Sequence, residues 1–288
     1  MDRSGEKRLQ TKQKFKGVFV LLKLGRKWFA SMVLTVGIGL VVSACGGGTG
    51  GQSSSSGGAT GSGSDKVIVV GTDAAYPPFE KMEADKISGF DIDVIQAVAD
   101  AAGLKIEVRN TGWDPLFDGL DKGTVDVGIS AITITDKRKE KYDFSEPYFE
   151  ANQLILVAED SPVAKLADLK GKRIGVQSAT TGEEVVKKAF GDTYEGIKGF
   201  DDTPSAVDDF FNGRVDAVVA DNGVLTYYAK NMTGKKYKLI QDDSFEKEFY
   251  GIMVKKGNTE LLNQINQGLK TIKENGKLQE IHNKYFGQ

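Results

Sequence analysis

Arg138 and Asp221 are the two side chains whose types and settings suggest a paired chemistry. Arg138 closes the stretch Thr133-Ile134-Thr135-Asp136-Lys137-Arg138, where Thr135 is placed to cap a helix start. A guanidinium offers two parallel donors and so clamps a carboxylate. Asp221 follows the apolar run Ala217 to Ala220, at what reads as a strand end, and is a natural partner for an ammonium. A buried site that takes a zwitterion must satisfy both of its charges, and this pair could do so. By themselves the residues also fit blander roles: Arg138 as a solvated charge in the run Asp136 to Lys141, and Asp221 as a turn residue before Asn222-Gly223. Tyr76 and Trp113 could hold a side chain between ring faces, or be ordinary packing. Thr180 and Thr181 precede a helix whose first N–H groups could receive a carboxylate, or they simply cap it.

The elements around these residues alternate short apolar runs with amphipathic stretches. Val67 to Val70, Leu104 to Val108 and Val125 to Ile129 read as strands. Between them, Gly89 to Ala102 puts Phe90, Val94, Ile95, Val98 and Ala102 on one helical face, and Leu116 to Leu120 sits in a short helix. The same grammar returns with strands at Leu154 to Val157, Arg173 to Val176 and Ala217 to Ala220. Helices are expected over Gly182 to Phe190 and over Pro204 to Phe211, the latter with Thr203 as N-cap. A βαβαβ order predicts α/β lobes with largely parallel sheets. Leu120-Asp121-Lys122-Gly123-Thr124-Val125-Asp126 parallels Phe211-Asn212-Gly213-Arg214-Val215-Asp216, each a helix end, a turn and an entry into a strand. Ligands in open α/β sheets sit beyond the carboxyl ends of strands. Two facing lobes would bring Asp73, Ser130, Thr133, Gln177 and Asp221 to one cleft. Leu261, Leu262, Ile265, Leu269 and Ile272 then form the core face of a late helix.

Composition narrows the partners. Of 38 Lys/Arg and 40 Asp/Glu, residues 1–44 hold nine and two, leaving a basic front end and a body of net charge -9. An acidic body argues against nucleic acid, whose binding neutralises phosphates. One Cys and one His in 288 residues exclude an intramolecular disulfide and argue against a zinc site; no cofactor is expected. The front end reads as an address: basic residues to Lys27, an apolar stretch from Trp28 to Val42, then Val42-Ser43-Ala44-Cys45. That tetrapeptide resembles the lipobox of bacterial lipoproteins, in which the Cys is acylated after cleavage. Gly46 to Ser64 is nearly all Gly, Ser, Thr and Ala, the composition of a flexible tether. The expectation is a signal peptide over 1–44, a lipidated Cys45 with a tether over 45–65, and an extracytoplasmic body anchored to a bacterial membrane.

Larger motifs add a family resemblance. Gly71-Thr72-Asp73-Ala74-Ala75-Tyr76-Pro77-Pro78-Phe79-Glu80 and Gly89-Phe90-Asp91-Ile92-Asp93 look like the opening of polar amino-acid binding proteins. Ala131 to Arg138, Asp143-Phe144-Ser145, Pro147-Tyr148, Glu274-Asn275-Gly276 and Lys284-Tyr285-Phe286-Gly287 continue it. The chain resembles solute-binding protein family 3, nearest in pattern to the glutamine-, histidine- and lysine/arginine/ornithine-binding proteins of ABC importers. The resemblance implies a type II periplasmic-binding-protein fold: lobe one at 66–148 with 250–288, lobe two at 152–245, and a hinge at 149–151 and 246–249. It implies that Arg138 and the backbone near Thr133 and Thr180 take the ligand carboxylate. Asp221 would take the ammonium, Tyr76 and Trp113 would flank the side chain, and Asp73, Ser130 and Thr181 would lie nearby. It also implies an ABC permease, with its cytoplasmic ATPase, as partner.

Departures from the family pattern bear on the ligand. Gln177 stands where glutamine binders carry a Lys, which would repel a cation. Ala131 stands where the histidine and lysine/arginine/ornithine binders have Ser, so one polar contact is missing. The expected ligand is a basic amino acid, arginine first, with glutamine as the alternative. The same fold hosts cyclohexadienyl dehydratases and sensor modules. No nucleophile–His pairing is visible beyond His282, which reads as a surface residue of the last helix, so an enzyme is disfavoured; a dehydratase-like enzyme or a sensor or adhesin lipoprotein on the same fold is the alternative of another class.

Overall fold

The run Ile68-Val69-Val70 becomes a strand, β1 (Ile68–Thr72), buried along most of its length, as suits a strand covered on both faces. It belongs to a computed structural model that describes residues 66–232 and 234–287. The expected signal peptide, lipidated Cys45 and tether lie outside the described residues. A small antiparallel sheet follows, β2 (Ala75–Tyr76), β3 (Glu80–Glu83) and β4 (Lys86–Ser88). Helix α1 (Phe90–Ala102) buries Phe90, Val94, Ile95 and Val98 and stops at Gly103, whose φ of 67° is the left-handed cap that glycine adopts without a Cβ penalty. Then come β5 (Ile106–Asn110), α2 (Trp113–Lys122), β6 (Val127–Gly128), the single turn α3 (Asp136–Lys139) and β7 (Tyr142–Phe144). β5 starts two residues later than its apolar pattern suggests, and β6 is shorter, because the residues after Gly128 turn away to line a cleft.

The chain leaves this lobe along β8 (Phe149–Ala151) and enters the second through β9 (Gln153–Val157). There it forms β10 (Ile174–Gln177), α4 (Thr181–Phe190), β11 (Ile197–Phe200), α5 (Thr203–Phe211), β12 (Ala217–Asp221), α6 (Asn222–Asn231) and β13 (Lys238–Ile240). Asp202, not the expected Thr203, caps α5, accepting from the Ser205 N–H; the Thr203 hydroxyl is turned inward to Gln177 instead. The chain returns through β14 (Glu248–Tyr250), paired antiparallel with β8, into β15 (Met253–Lys255), and ends in α7 (Thr259–Glu274) and α8 (Lys277–Phe286).

The two main sheets are built alike. Their orders are β5-β1-β6-β15-β7 and β11-β10-β12-β9-β13. In each, a single strand, β15 or β9, runs against the other four, so the sheets are more mixed than a simple βαβ repeat. The sequence echo is a structural twin. Asp126 accepts the Val69 N–H at 2.9 Å, and Asp216 accepts the Arg173 N–H at 2.8 Å. Each carboxylate thus ties one parallel strand to the start of its neighbour, while Val125 and Val215 are buried beside them. Separate cores fill the lobes, around Val70, Phe90, Val94 and Ile265 in the first and Ile155, Ile174, Val186 and Val219 in the second. Each such side chain contributes roughly 1.5–3 kcal/mol on burial. An aromatic seam runs from the first core to the crossing strands: Phe79 is fully buried against Phe90 and Phe286 and against Phe149 of β8 and Tyr250 of β14.

Candidate functional site

The parallel strands of both sheets end facing each other. β1 runs into Asp73, and β6 into Ser130, Ala131 and Thr133; β10 ends at Gln177 before Thr180 and Thr181, and β12 ends at Asp221. All of them line one cavity, together with Tyr76, Trp113 and Arg138. The cavity they enclose is small, about 20 Å³. The lobes are therefore nearly closed on one another, and a molecule the size of an amino acid enters only if they part.

Arg138 comes off the first turn of α3, whose N-cap Thr135 accepts the Arg138 N–H. The centre of its guanidinium lies 5.3 Å from the Trp113 ring centroid and 5.6 Å from that of Phe117, within cation–π reach of both. One nitrogen donates to the Thr133 carbonyl at 2.9 Å and another reaches across the cleft to the Ala179 carbonyl at 3.3 Å. Trp113 Nε1 donates to the same Ala179 oxygen at 3.4 Å. Burial pulls the Arg138 pKa down, while Glu184, Asp221 and Glu248 hold it up; a guanidinium stays charged regardless. Ala131 in the first lobe and Ala179 in the second both take left-handed backbone, at φ 48° and 58°. That costs a non-glycine residue of order 1 kcal/mol. Asp91 anchors the first by accepting the Ala131 N–H at 2.7 Å, and Glu183 the second by accepting the Ala179 N–H at 3.0 Å.

Asp221 is 6% exposed. Tyr250 and Gln153 donate to its two oxygens, and Tyr76 is in hydrogen-bond reach. Burial, and then the nearby Glu248 carboxylate, push its pKa up to about 7 despite those donors. Asp73 is raised to about 6, mainly by burial, against the opposing donor from Gln177. Gln177 spans the lobes: its amide donates to Asp73 at 3.1 Å and to the Asp201 carbonyl at 3.1 Å, while Thr203 donates to its oxygen at 3.0 Å. Ser130 accepts the Asp73 N–H at 3.0 Å. Thr180 caps α4, accepting the Glu183 N–H.

Comparison with known proteins gives the same reading of the chain. The profile of bacterial extracellular solute-binding proteins, family 3, matches residues 68–288. The chain belongs to this family. A probable histidine-binding protein of Neisseria gonorrhoeae is 35% identical, over 91% of this chain and 96% of its own. The arginine-binding extracellular protein ArtP of Bacillus subtilis is 33% identical, over 91% and 98%. The solved arginine-, lysine-, histidine-binding protein ArtJ of Geobacillus stearothermophilus is 52% identical, covers 77% of this chain and 96% of its own, and superposes with a TM-score of 0.75. The type II periplasmic-binding-protein fold expected from the motifs is thus the fold of this solute-binding protein.

Some residues beside this cleft escaped the reading of the sequence. Gln153, Tyr250 and Glu248 sit on or beside the crossing strands, where β8 and β14 pass between the lobes. Gln153 opens an apolar strand, a setting that hints at a buried polar role; Glu248 lies in an acidic and basic run that gives no such hint. Beneath the floor, Glu80 and Asp91 are both fully buried. Ser130 donates to Glu80 at 2.8 Å, and Tyr148 donates to Asp91 at 2.8 Å. Burial and the facing Asp91 push the Glu80 pKa well above its ordinary value, and burial raises Asp91 to about 7. The Ser130 hydroxyl and the Ala131 N–H donate to this pair and so fix the Ser130–Ala131 turn. His282, read from sequence as a surface residue, instead stacks in the aromatic seam, 5.9 Å from Phe149.

Proposed function

We propose that this protein captures a free basic amino acid, arginine first, outside the cytoplasm and delivers it to an amino-acid ABC importer. The observation that carries the reading is the placement of Arg138 and Asp221 on one nearly closed cavity, with Tyr76 and Trp113 beside it. Arg138 receives the ligand carboxylate and Asp221 its ammonium. Asp73 faces the side-chain end, and Gln177 leaves that end free of positive charge. The relatives named for arginine, lysine and histidine support the ligand class.

Closure follows from differential contacts. The open lobes expose two half-sites; ligand bridges them and shifts the population to the closed form. The paired strands β8 and β14 act as hinge, with lobe one over 66–148 and 250–288 and lobe two over 152–245. Water exclusion strengthens both charge pairs. We read the cleft as a binder without catalysis: its carboxylates with raised pKa, Asp73 and Asp221, serve as counter-charges for the ligand. The signal peptide, the lipid on Cys45 and the Gly/Ser tether complete the proposal, keeping the binder near its permease and raising its effective concentration.

Calorimetry across the free amino acids tests this reading. Arginine binds most tightly, without turnover, and Arg138→Ala lowers its affinity by at least about thirtyfold, the equivalent of ~2 kcal/mol. Tightest binding of glutamine would move the ligand within the class; binding of no amino acid would end the proposal.

A further inference from the structure

Glu248 lies on the crossing strand β14, outside the ring of residues that line the cavity. One of its oxygens, Oε2, accepts from the Thr133 hydroxyl at 2.6 Å and from the Thr181 hydroxyl at 2.8 Å. Thr133 belongs to the first lobe and Thr181 to the second, and both line the cavity. A carboxylate can only accept, and a threonine hydroxyl has a single proton. Both protons are therefore committed to Glu248. The Thr181 oxygen also accepts from Gln153 Nε2 at 3.3 Å, so what the hydroxyls have left for the cavity is lone pairs, one on Thr181 and two on Thr133.

We propose that Glu248 is a positioning residue that sets the polarity of the cleft. By taking one hydroxyl proton from each lobe, it makes Thr133 and Thr181 acceptors for the ligand's ammonium, beside Asp221, and unable to donate to the carboxylate. This rests on the reading of the cleft as an amino-acid site. Gln153 completes the arrangement: its Nε2 donates to Glu248 Oε1 at 2.9 Å and also to Asp221, so the two acids share one donor. The contact to Oε1 fixes how a neutral replacement must sit. In Glu248→Gln the amide oxygen turns to the Gln153 donor and the amide NH2 to the threonines. The hydroxyls then accept from that NH2, and their protons swing into the cavity, opposing an ammonium. Because the hydroxyls come from opposite lobes, this polarity is assembled only on closure.

The test is calorimetry of wild type and Glu248→Gln with arginine and with 5-guanidinopentanoate, which is arginine without its amine. Wild type discriminates strongly between them. In E248Q arginine affinity falls while the deaminated analogue stays within a few-fold, so the ratio narrows by about tenfold or more, as expected for hydrogen bonds to a charged group. Equal losses for both ligands would mean that Glu248 only braces the lobes, and unchanged affinities would mean that it sets nothing; either result overturns the inference. Should E248Q lack a cooperative melting transition, Glu248→Asp carries the same test, since its carboxylate is one methylene short of the hydroxyls. Wild type that binds no free amino acid ends the underlying reading; wild type that binds arginine with an unmoved ratio in the variant ends this inference alone.

Discussion

Asp221 makes the cleft sensitive to pH near neutrality. Its carboxyl is raised to about 7, chiefly by burial. An ammonium favours the ionised form, so below that pH binding must first remove a proton. Arginine affinity is full above about pH 8 and falls by up to about tenfold per unit between pH 7 and 5. Calorimetry over that range measures it directly. Folding responds with the opposite sign. A carboxyl whose folded pKa lies above its unfolded value contributes stability that is complete below the unfolded pKa, near 4, and is lost as pH rises through 7. Asp73 and Asp91 are raised too, whereas the ion-paired Asp143 and Asp216 are lowered and act at more acid pH. Ligand-free protein therefore melts at a higher temperature at pH 5 than at pH 8, and saturating arginine removes the difference; a ligand-free Tm that climbs from pH 5 to 8 would contradict this. Gln177 gives a second residue-level expectation. A Lys there would pair with Asp73, so Gln177→Lys weakens arginine at least about tenfold more than glutamine, the difference of one charge contact at partial burial. Equal losses would remove Gln177 from the specificity argument.

Among the elements, α6 makes the contact most sensitive to closure. It begins where β12 ends, and Gly223 in its first turn lies against the first lobe. A Cβ on Gly223 would stand 2.7 Å from two carbons of the Phe79 ring. That ring is fully buried in the aromatic seam and has little room to move. Overpacking of this kind costs roughly 1–3 kcal/mol. Parting of the lobes relieves it, so Gly223→Ala weakens arginine binding by about tenfold and enlarges the ligand-free radius of gyration by small-angle scattering. An unchanged affinity would show that α6 does not report closure. The elements were legible where a pattern had length. α1 carries its apolar face over three turns and ends in a glycine, so both its face and its end were visible in the sequence. β6 was overread by its flanks, because Val125 and Ile129 are apolar but the chain bends away after Gly128 to form the floor of the cleft. β2 and β3 were missed, being only two and four residues long, and the crossing segments, expected as a hinge, were not read as strands because each has three residues and pairs only with the other, far away in the chain. The N-cap of α5 was misplaced by one residue because Asp202 and Thr203 are equally good caps by type; only the inward demand of Gln177 on Thr203 decides between them.

For the molecule as a whole, the legible part was the repeated design and the obscure part was its connection. Asp221 and the residues after β1, β6 and β10 could be assembled from the sequence, since each lies at a strand end where such folds place their ligands, whereas Arg138, on α3, stood out through the family motif that contains it. Glu248 and Gln153 could not, because they matter only once two lobes meet at the crossing strands. A body of net charge -9 outside the basic front end adds a long-range field that favours the approach of cations. The account depends on that closed geometry holding both ends of one small molecule. Titration of the wild-type protein with arginine and with agmatine, which keeps the guanidinium and the amine but lacks the carboxylate, tests this most directly. Arginine binds at micromolar concentration or below, and agmatine is weaker by at least about a hundredfold, as loss of a buried charge pair requires. Agmatine bound within a few-fold of arginine would contradict the account.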